Sequence, residues 1–478
     1  MEERSIYRNL SPLDHRYYLS NREAFEALSN YLSEEASVRY CVRVEAALID
    51  AFVDLRFAGD SHLHEAVSRL ELEISPEEVY REEERTQHNI RALVNIIKRR
   101  VPEELVPYVH LGATSADILD TASALRLRDV VRRVVIPKLL DVEEMLIRLA
   151  RENARTAQVG RTHGQHAVPI TFGFAMAEYV ARMGSSIEMV DARSKELRGK
   201  LAGAVGAYNA MSLIVDDPMT FERDVLRRLG LEPSEHSTQL VEPEYQLRLL
   251  LELNVAFGIL ANLADDLRNL QRSEIGEVRE EFGADQVGSS TMPQKRNPWN
   301  SEHVKSLWKA FAPRVMTFYL DQISEHQRDL TNSASSRFVA EYVAGLTAAL
   351  ARMGKVLSKL GVIEKRMRAN IDATGDLVLS EAAYILLATA GDPDAHEIIR
   401  KTTLRCEQTG GRLLSELKAN AGVWHLISSQ LEKITGADAE EFFSNPALYR
   451  GMAAEKATLL ADRYAQIVAR LREETHDH

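Results

Sequence analysis

One stretch limits the fold more than any other. From Tyr245 to Leu270 the apolar residues (Leu247, Leu249, Leu250, Leu251, Leu253, Val255, Phe257, Ile259, Leu260, Leu263) fall on nearly every side of a helix. Such a helix belongs inside a bundle rather than on its surface. Helical periodicity also runs from near Asp117 through Pro137 to about Asn153, over 171–198, and over about 338–360. A further helix, with Asn300-Ser301 as its cap, places Val304, Leu307, Trp308, Phe311, Val315 and Phe318 on one face. Strand signals are nearly absent. These patterns predict an all-α chain of three helical domains: residues 1–111, a central long-helix bundle over 112–365, and a smaller helical domain over 366–478.

The bulk numbers exclude several function classes. The 478-residue chain is too long for one core and carries a net charge of -12 with no basic arm, which argues against nucleic-acid binding. The two cysteines, Cys41 and Cys406, make neither a disulfide framework nor a zinc site. No apolar run is read as long enough to span a bilayer, and the N-terminus lacks a signal-peptide pattern, so the expectation is a cytoplasmic protein without membrane partners. No metal-ligand cluster is expected; two histidines in the tail Thr475–His478 are too few.

Chemistry concentrates in polar breaks between the helices. The fullest is Gly288-Ser289-Ser290-Thr291-Met292-Pro293-Gln294-Lys295-Arg296-Asn297-Pro298, where hydroxyls, cations and a carboxamide sit between glycine and proline. Its composition suits an anionic substrate. Gly160-Arg161-Thr162-His163-Gly164-Gln165-His166 reads as a second Gly-flanked loop, and His163 suits proton transfer because imidazole alone titrates near neutrality. Thr114 and Ser115 cap the helix beginning near Asp117, a role compatible with holding a carboxylate or phosphate. Arg16 with Tyr17 offers a guanidinium fork and a phenol to an anion, or simply a surface cation beside a packing ring.

Ser75-Pro76-Glu77-Glu78 is a capping box opening a helix that carries Gln87, His88 and Asn89 and then Ile90, Leu93, Val94 and Ile97 at helical spacing. Lys200–Asn209 is glycine-rich, a place where backbone passes close to something, but it lacks the order of a phosphate P-loop. Gln239 precedes the long apolar helix, and Arg328, Ser333 and Arg337 share another polar break. Helices of about 25 residues reach nearly 40 Å, so loops at opposite bundle ends do not meet within one subunit. A site built from both ends needs neighbouring copies of the chain.

Taken together these segments resemble the fumarase/aspartase superfamily and, within it, the adenylosuccinate lyase family. Gly288–Pro298 matches the superfamily signature Gly-Ser-Ser-x-Met-Pro-x-Lys-x-Asn-Pro in full. Ser11-Pro12-Leu13-Asp14-His15-Arg16-Tyr17, Thr86-Gln87-His88-Asn89, Thr114-Ser115-x-Asp117, Arg161-Thr162-His163-Gly164-Gln165, Lys200–Asn209, Thr238-Gln239 and Arg328–Arg337 resemble the remaining family elements in order. Asn89 stands where the family usually has Asp, and Gln294 where these lyases often have His and argininosuccinate lyases often have Gln.

The resemblance implies β-elimination of fumarate from adenylosuccinate and from the succinylated carboxamide ribotide of the purine pathway, with no cofactor. Argininosuccinate lyase or another fumarate-releasing relative is the alternative, and a non-enzymatic helical scaffold is disfavoured because no loop hydroxyl, His163 or Lys295 is missing. By resemblance Ser289 is the base (Ser290 if the assignment slips by one), His163 the acid, and His88 its support or a phosphate contact. Lys295 and Asn297 face the substrate carboxylates. Thr114, Ser115, Thr162 and Gln239, with Gln87, Ser290 and Met292, complete the substrate pocket. Arg16, Tyr17, Arg328, Ser333 and Arg337 hold the nucleotide phosphate. The family also implies a homotetramer with active sites shared between subunits.

Overall fold

The computed structural model describes residues 5–281, 291–292 and 294–476. Within them the chain is mainly helical. An N-terminal helix, α1 (Glu34–Phe57), is capped by Ser33, whose hydroxyl accepts from the Ala36 amide. It packs against α2 (Ser115–Val130), and Tyr40 fixes the pair by donating to Asp129 at 2.7 Å. A π-helical turn, Val131–Val135, joins α2 to α3 (Ile136–Glu152) without a break. There the Ile136 amide reaches back to the Val131 carbonyl. The widened turn accommodates Pro137, which lacks an amide hydrogen and in a regular helix would crowd the carbonyl four residues back. The result is a single rod from Ser115 to Glu152, roughly 55 Å long at 1.5 Å per residue.

At the end of that rod, β1 (Ala157–Thr162) and β2 (Gln165–Thr171) form an antiparallel hairpin. The sequence reads this stretch as a loop. Positive φ at His163 (54°) and Gly164 (73°) gives the two-residue turn that matches the twist of paired strands, and Gly164 is the usual second residue of such turns. The chain then returns along α4 (Phe172–Lys195), crosses the far end, and comes back through α5 (Glu244–Leu270). β3 (Val278–Glu280), α6 (Trp299–Phe311), α7 (Val339–Leu357) and β4 (Leu360–Val362) follow, with β3 and β4 paired.

Packing follows the pattern of small residues. A Cβ at Gly184 would lie 2.1 Å from the Tyr464 ring, and one at Gly345 would lie 2.4 Å from Phe311. Tyr464 belongs to α8 (Ala453–His476), which lies against α3 and α4 and shares their core through Ala457, Ala461 and Leu471. A separate apolar cluster, including Leu379, Leu387, Leu413, Ile427 and Phe443, holds the short helices between 380 and 444.

Two expectations change. α5 is long and apolar enough to cross a membrane by length and composition, contrary to the sequence reading. Its residues instead pack mostly inside the bundle, where Leu249, Leu253, Phe257 and Leu263 are fully enclosed. The predicted cap Asn300-Ser301 lies inside the first turn of α6, and the carboxylate that satisfies its amides comes from Glu280.

Candidate active site

The two ends of the bundle hold different parts of the predicted site. At one end, Asp117 organises the Thr114-Ser115 turn. Its carboxylate accepts from the Thr114 amide at 2.8 Å and from the amides of Ala202 and Gly203, each at 3.2 Å. The Lys200 ammonium pairs with it, and both side chains are fully buried. Lys200 is thus a structural cation rather than a ligand group. The close approach foreseen for the glycine-rich stretch is to protein: a Cβ at Gly206, whose φ is +77°, would lie 2.0 Å from the Ser237 carbonyl. That contact steadies the segment carrying Gln239, whose amide donates to the Gln327 carbonyl at 3.2 Å. Thr114, Ser115 and Gln239 are all half-buried.

Gln327 leads into the arginine-bearing break. Arg328 has a left-handed φ of 80° and donates through Nη1 to the Gln322 carbonyl and Ser324 Oγ, both at 2.9 Å. Ser333 and Arg337 are exposed, and Arg337 lies close enough to Tyr80 to act on its phenol. The helix of Tyr80 ends at Gln87, in the left-handed region with its carboxamide on the Glu84 carbonyl at 2.7 Å. His88 caps the following helix, its Nδ1 accepting from the Arg91 amide at 3.2 Å. A neutral imidazole held this way carries its hydrogen on the outward Nε2. Asn89 turns its carboxamide oxygen to the Ile90 amide at 2.8 Å, so His88 is oriented by the Arg91 backbone and not by residue 89. The Ser75 cap also differs from the expected box: its hydroxyl accepts from Glu78, whose carboxylate goes to Arg100 at 2.6 Å.

The other end holds the hairpin and the root of the signature loop. Thr162 and His163 are exposed at the hairpin tip. Below them Arg161 forms a two-pronged pair with Glu277, at 2.6 and 3.1 Å, so its guanidinium is a brace and not a substrate group. Glu277 is fully buried and also accepts from Gln158 and Asn370, each at 2.7 Å. Three residues on, buried Glu280 accepts from the amides of Asn300 (3.3 Å) and Ser301 (2.9 Å), from Asn300 Nδ2 (2.9 Å) and from Ser301 Oγ (2.6 Å). One carboxylate thereby ties the end of β3 to the first turn of α6. Ser289 and Ser290 lie outside the described residues. Beyond them, Met292 accepts from the Lys295 amide at 2.9 Å; Met292 and Lys295 are exposed and Asn297 is half-buried.

The N-terminal arm joins this second end. Arg16 opens a short helix, Arg16–Ser20, and Tyr17 Oη lies 2.9 Å from Nε2 of His303 on α6. Arg352 of α7 donates to Asn300 Oδ1 at 2.9 Å and stacks 4.9 Å from the Trp299 ring centre. The structure therefore groups Arg16, Tyr17, Lys295 and Asn297 with the end that also bears His163. Thr114, Ser115, Gln239, Arg328, Ser333 and Arg337 belong to the opposite part of the chain's path, and the rod from Ser115 to Glu152 separates Ser115 from the hairpin. Sequence reasoning missed Glu277, Glu280, His303 and Arg352, because nothing in their local spacing marks them. Among the described residues no group of three or more His, Cys, Asp or Glu side chains is arranged to hold a metal ion.

Comparison with known proteins gives the family and the fold. Residues 44–312 match the family described as Lyase, and residues 324–438 match the adenylosuccinate lyase C-terminal family. The adenylosuccinate lyase of Pyrococcus abyssi is 34% identical over 427 residues, spanning 88% of this chain and 92% of its own. That of Archaeoglobus fulgidus is 34% identical, spanning 85% and 89%. Among solved structures, the 3-carboxy-cis,cis-muconate lactonizing enzyme of Pseudomonas putida superposes with a TM-score of 0.76 at 24% identity, covering 96% of this chain and all of that one. The fumarate lyase of Mesorhizobium sp. BNC1 gives 0.75 at 24% identity, covering 92% and 97%. At that identity the structural likeness concerns the fold; the sequence relatives go further, and by them the chain belongs to the adenylosuccinate lyase family.

Proposed function

We propose that this protein is a carbon–nitrogen lyase that eliminates fumarate from adenylosuccinate, giving AMP, and from the succinylated carboxamide ribotide of the same pathway. The observation that carries the reading is the docking of the Arg16–Tyr17 arm on the helix that leaves the signature loop. A group suited to phosphate and a loop suited to a dicarboxylate then act from one helix. An argininosuccinate substrate has no phosphate for that arm.

The reaction needs a base for the proton beside a carboxylate, an acid for the leaving nitrogen, and cations for the carboxylate as it becomes a doubly charged aci-carboxylate. Ser289 removes the proton and His163, at the hairpin tip, protonates the departing amine. A serine hydroxyl is far from ionised at neutral pH, so Ser289 acts only when amides, cations or exclusion of water favour its anion. Lys295 supplies positive charge and Asn297 hydrogen bonds to the developing aci-carboxylate. Thr114 and Ser115 open a 16-residue helix and offer amides and hydroxyls to the other carboxylate. Thr162, Gln239, Gln87, Ser290 and Met292 line the remainder. His88 presents Nε2–H to His163 or to phosphate, and Arg328, Ser333 and Arg337 complete the phosphate site with Arg16 and Tyr17.

Because the Ser115–Glu152 rod spans roughly 55 Å, these groups converge only between chains, in a homotetramer of soluble, cytoplasmic character. Outward Leu251 and Val255 on α5, 38% and 52% exposed, are apolar faces suited to such association. The test follows the ultraviolet change on adding adenylosuccinate or argininosuccinate to wild type, Ser289→Ala, His163→Ala and a reassembled mixture of the two variants. Turnover of adenylosuccinate alone, its loss in each variant, and partial recovery in the mixture are expected. Turnover of argininosuccinate instead overturns the substrate assignment, and no recovery in demonstrated mixed oligomers overturns the shared site.

A further inference from the structure

The surroundings of His303 are unusual for an imidazole. Tyr17 reaches it from the N-terminal arm, with Oη 2.9 Å from Nε2 and the rings tilted at 40° with centres 5.8 Å apart. Arg16 acts on it from the same arm and Arg352 from α7. The arm is held in place: Leu13 is buried, Asn21 Nδ2 donates to the Tyr17 carbonyl at 3.0 Å, and Lys355 of α7 donates to the Ser20 carbonyl at 3.3 Å. Glu280 is the acidic neighbour, acting on Arg352, and its own oxygens are occupied by Asn300 and Ser301. Burial first, then Arg352 and Arg16, hold the imidazole below its ordinary value and so favour its neutral form. Two guanidinium groups thus surround a neutral ring at the foot of the catalytic loop, a site short of negative charge.

We propose that His303 is a positioning residue that couples recognition of the nucleotide phosphate to the catalytic loop by taking up a proton as the phosphate arrives. The inference rests on the lyase reading above. With His303 neutral and Nε2 unprotonated, the Tyr17 hydroxyl donates to Nε2 and offers a phosphate nothing but lone pairs. When the dianion enters beside Arg16, its charge favours imidazolium. A proton from solvent binds Nε2, and the hydrogen bond reverses so that Nε2–H donates to the Tyr17 oxygen. The phenolic hydrogen is released to rotate onto a phosphate oxygen. No covalent bond other than N–H is made, and the proton returns to solvent when the product leaves. Because His303 is one turn from Trp299 on α6, the reversed bond also fixes the helix from which the loop carrying Lys295 and Asn297 emerges.

The test measures AMP and adenosine binding by calorimetry in buffers of different ionisation enthalpy, together with the pH profile of KM for adenylosuccinate. Variants are His303→Gln, which forms the bond to Tyr17 but takes no proton, and His303→Arg, which is charged throughout. Wild type should take up more protons with AMP than His303→Gln does, and neither should with adenosine. Its KM should rise about tenfold between pH 6 and 8.5, whereas both variants stay flat within about twofold. Equal proton uptake and parallel pH profiles in wild type and His303→Gln overturn the inference while leaving the lyase reading intact. Failure of every form to bind AMP or turn over adenylosuccinate removes the reading and the inference together. His303→Arg guards against misfolding, since a folded variant without pH dependence and one with the wild-type profile give opposite answers.

Discussion

Two glutamates in this chain are equally hidden and differently treated. Glu277 and Glu143 are both 0% exposed. Glu277 gathers Arg161, Gln158 and Asn370, and the hairpin bearing His163 stands on that cluster. Glu143, in the middle of α3, has no hydrogen-bond partner on either oxygen among the described residues, and burial pushes its carboxyl well above the usual range. An acid saturated with donors specifies geometry, because each donor fixes a different strand or helix. An acid with none only costs free energy. Buried charge in this fold therefore marks positioning where it is partnered, and tolerance where it is not.

The strongest way to break that contrast is Glu277→Ala. It strands the Arg161 guanidinium and two carboxamides inside the protein, and should cost about 3–5 kcal/mol of stability. Fumarate release should also collapse, since the hairpin loses its brace. Denaturant unfolding and steady-state kinetics check both, and a variant of near-normal stability and rate would mean that Glu277 is no more than filler.

Glu143→Leu should move the other way. Replacing an unpartnered buried carboxyl with an apolar side chain should stabilise the protein by about 1–3 kcal/mol without changing turnover. A destabilised variant in the same unfolding assay would show that Glu143 has a role the bundle interior conceals.

The smallest effect belongs to a histidine shared between two surface-facing acids. His64 bonds Asp50 at 2.8 Å and Asp54 at 3.0 Å, and the Asp50 bond leads in raising its value above 6.5. The folded chain then holds that proton more tightly than the unfolded chain. Its stabilisation is complete below pH 6.5 and is lost as pH rises through the folded value. The difference in unfolding free energy between wild type and His64→Asn should be below about 1 kcal/mol at pH 6 and shrink toward pH 8.5. A difference that grows with pH contradicts the sign.

Much of the fold was legible because an amphipathic or fully apolar helix writes its period into the sequence. The all-α class and the run of the central helices followed from that signal. The signature and His163 were legible as residue types in loops; His88 was read on a continuous helix, which the structure instead breaks at Gln87, leaving His88 as the cap of the next one. What escaped is what periodicity cannot carry. Arg161 and Glu277 are 116 positions apart, and no local pattern says that this arginine braces a strand rather than binding substrate. The hairpin was hidden because its turn residues, His163 and Gly164, also read as an ordinary polar loop. The glycine-rich stretch read as a close backbone approach to something unnamed, and neither the Lys200–Asp117 pair nor the Ser237 carbonyl it meets is marked by local spacing.

The contact between Tyr17 and His303 spans 286 positions of chain. During synthesis at roughly 5–20 residues per second, the arm emerges about 15–60 s before its docking helix exists. Through that interval Arg16 and Tyr17 have no native partner on α6, and every contact they make there must close the longest kind of loop. The arm therefore docks only after synthesis has passed α6, late relative to the local packing of the helices that precede it.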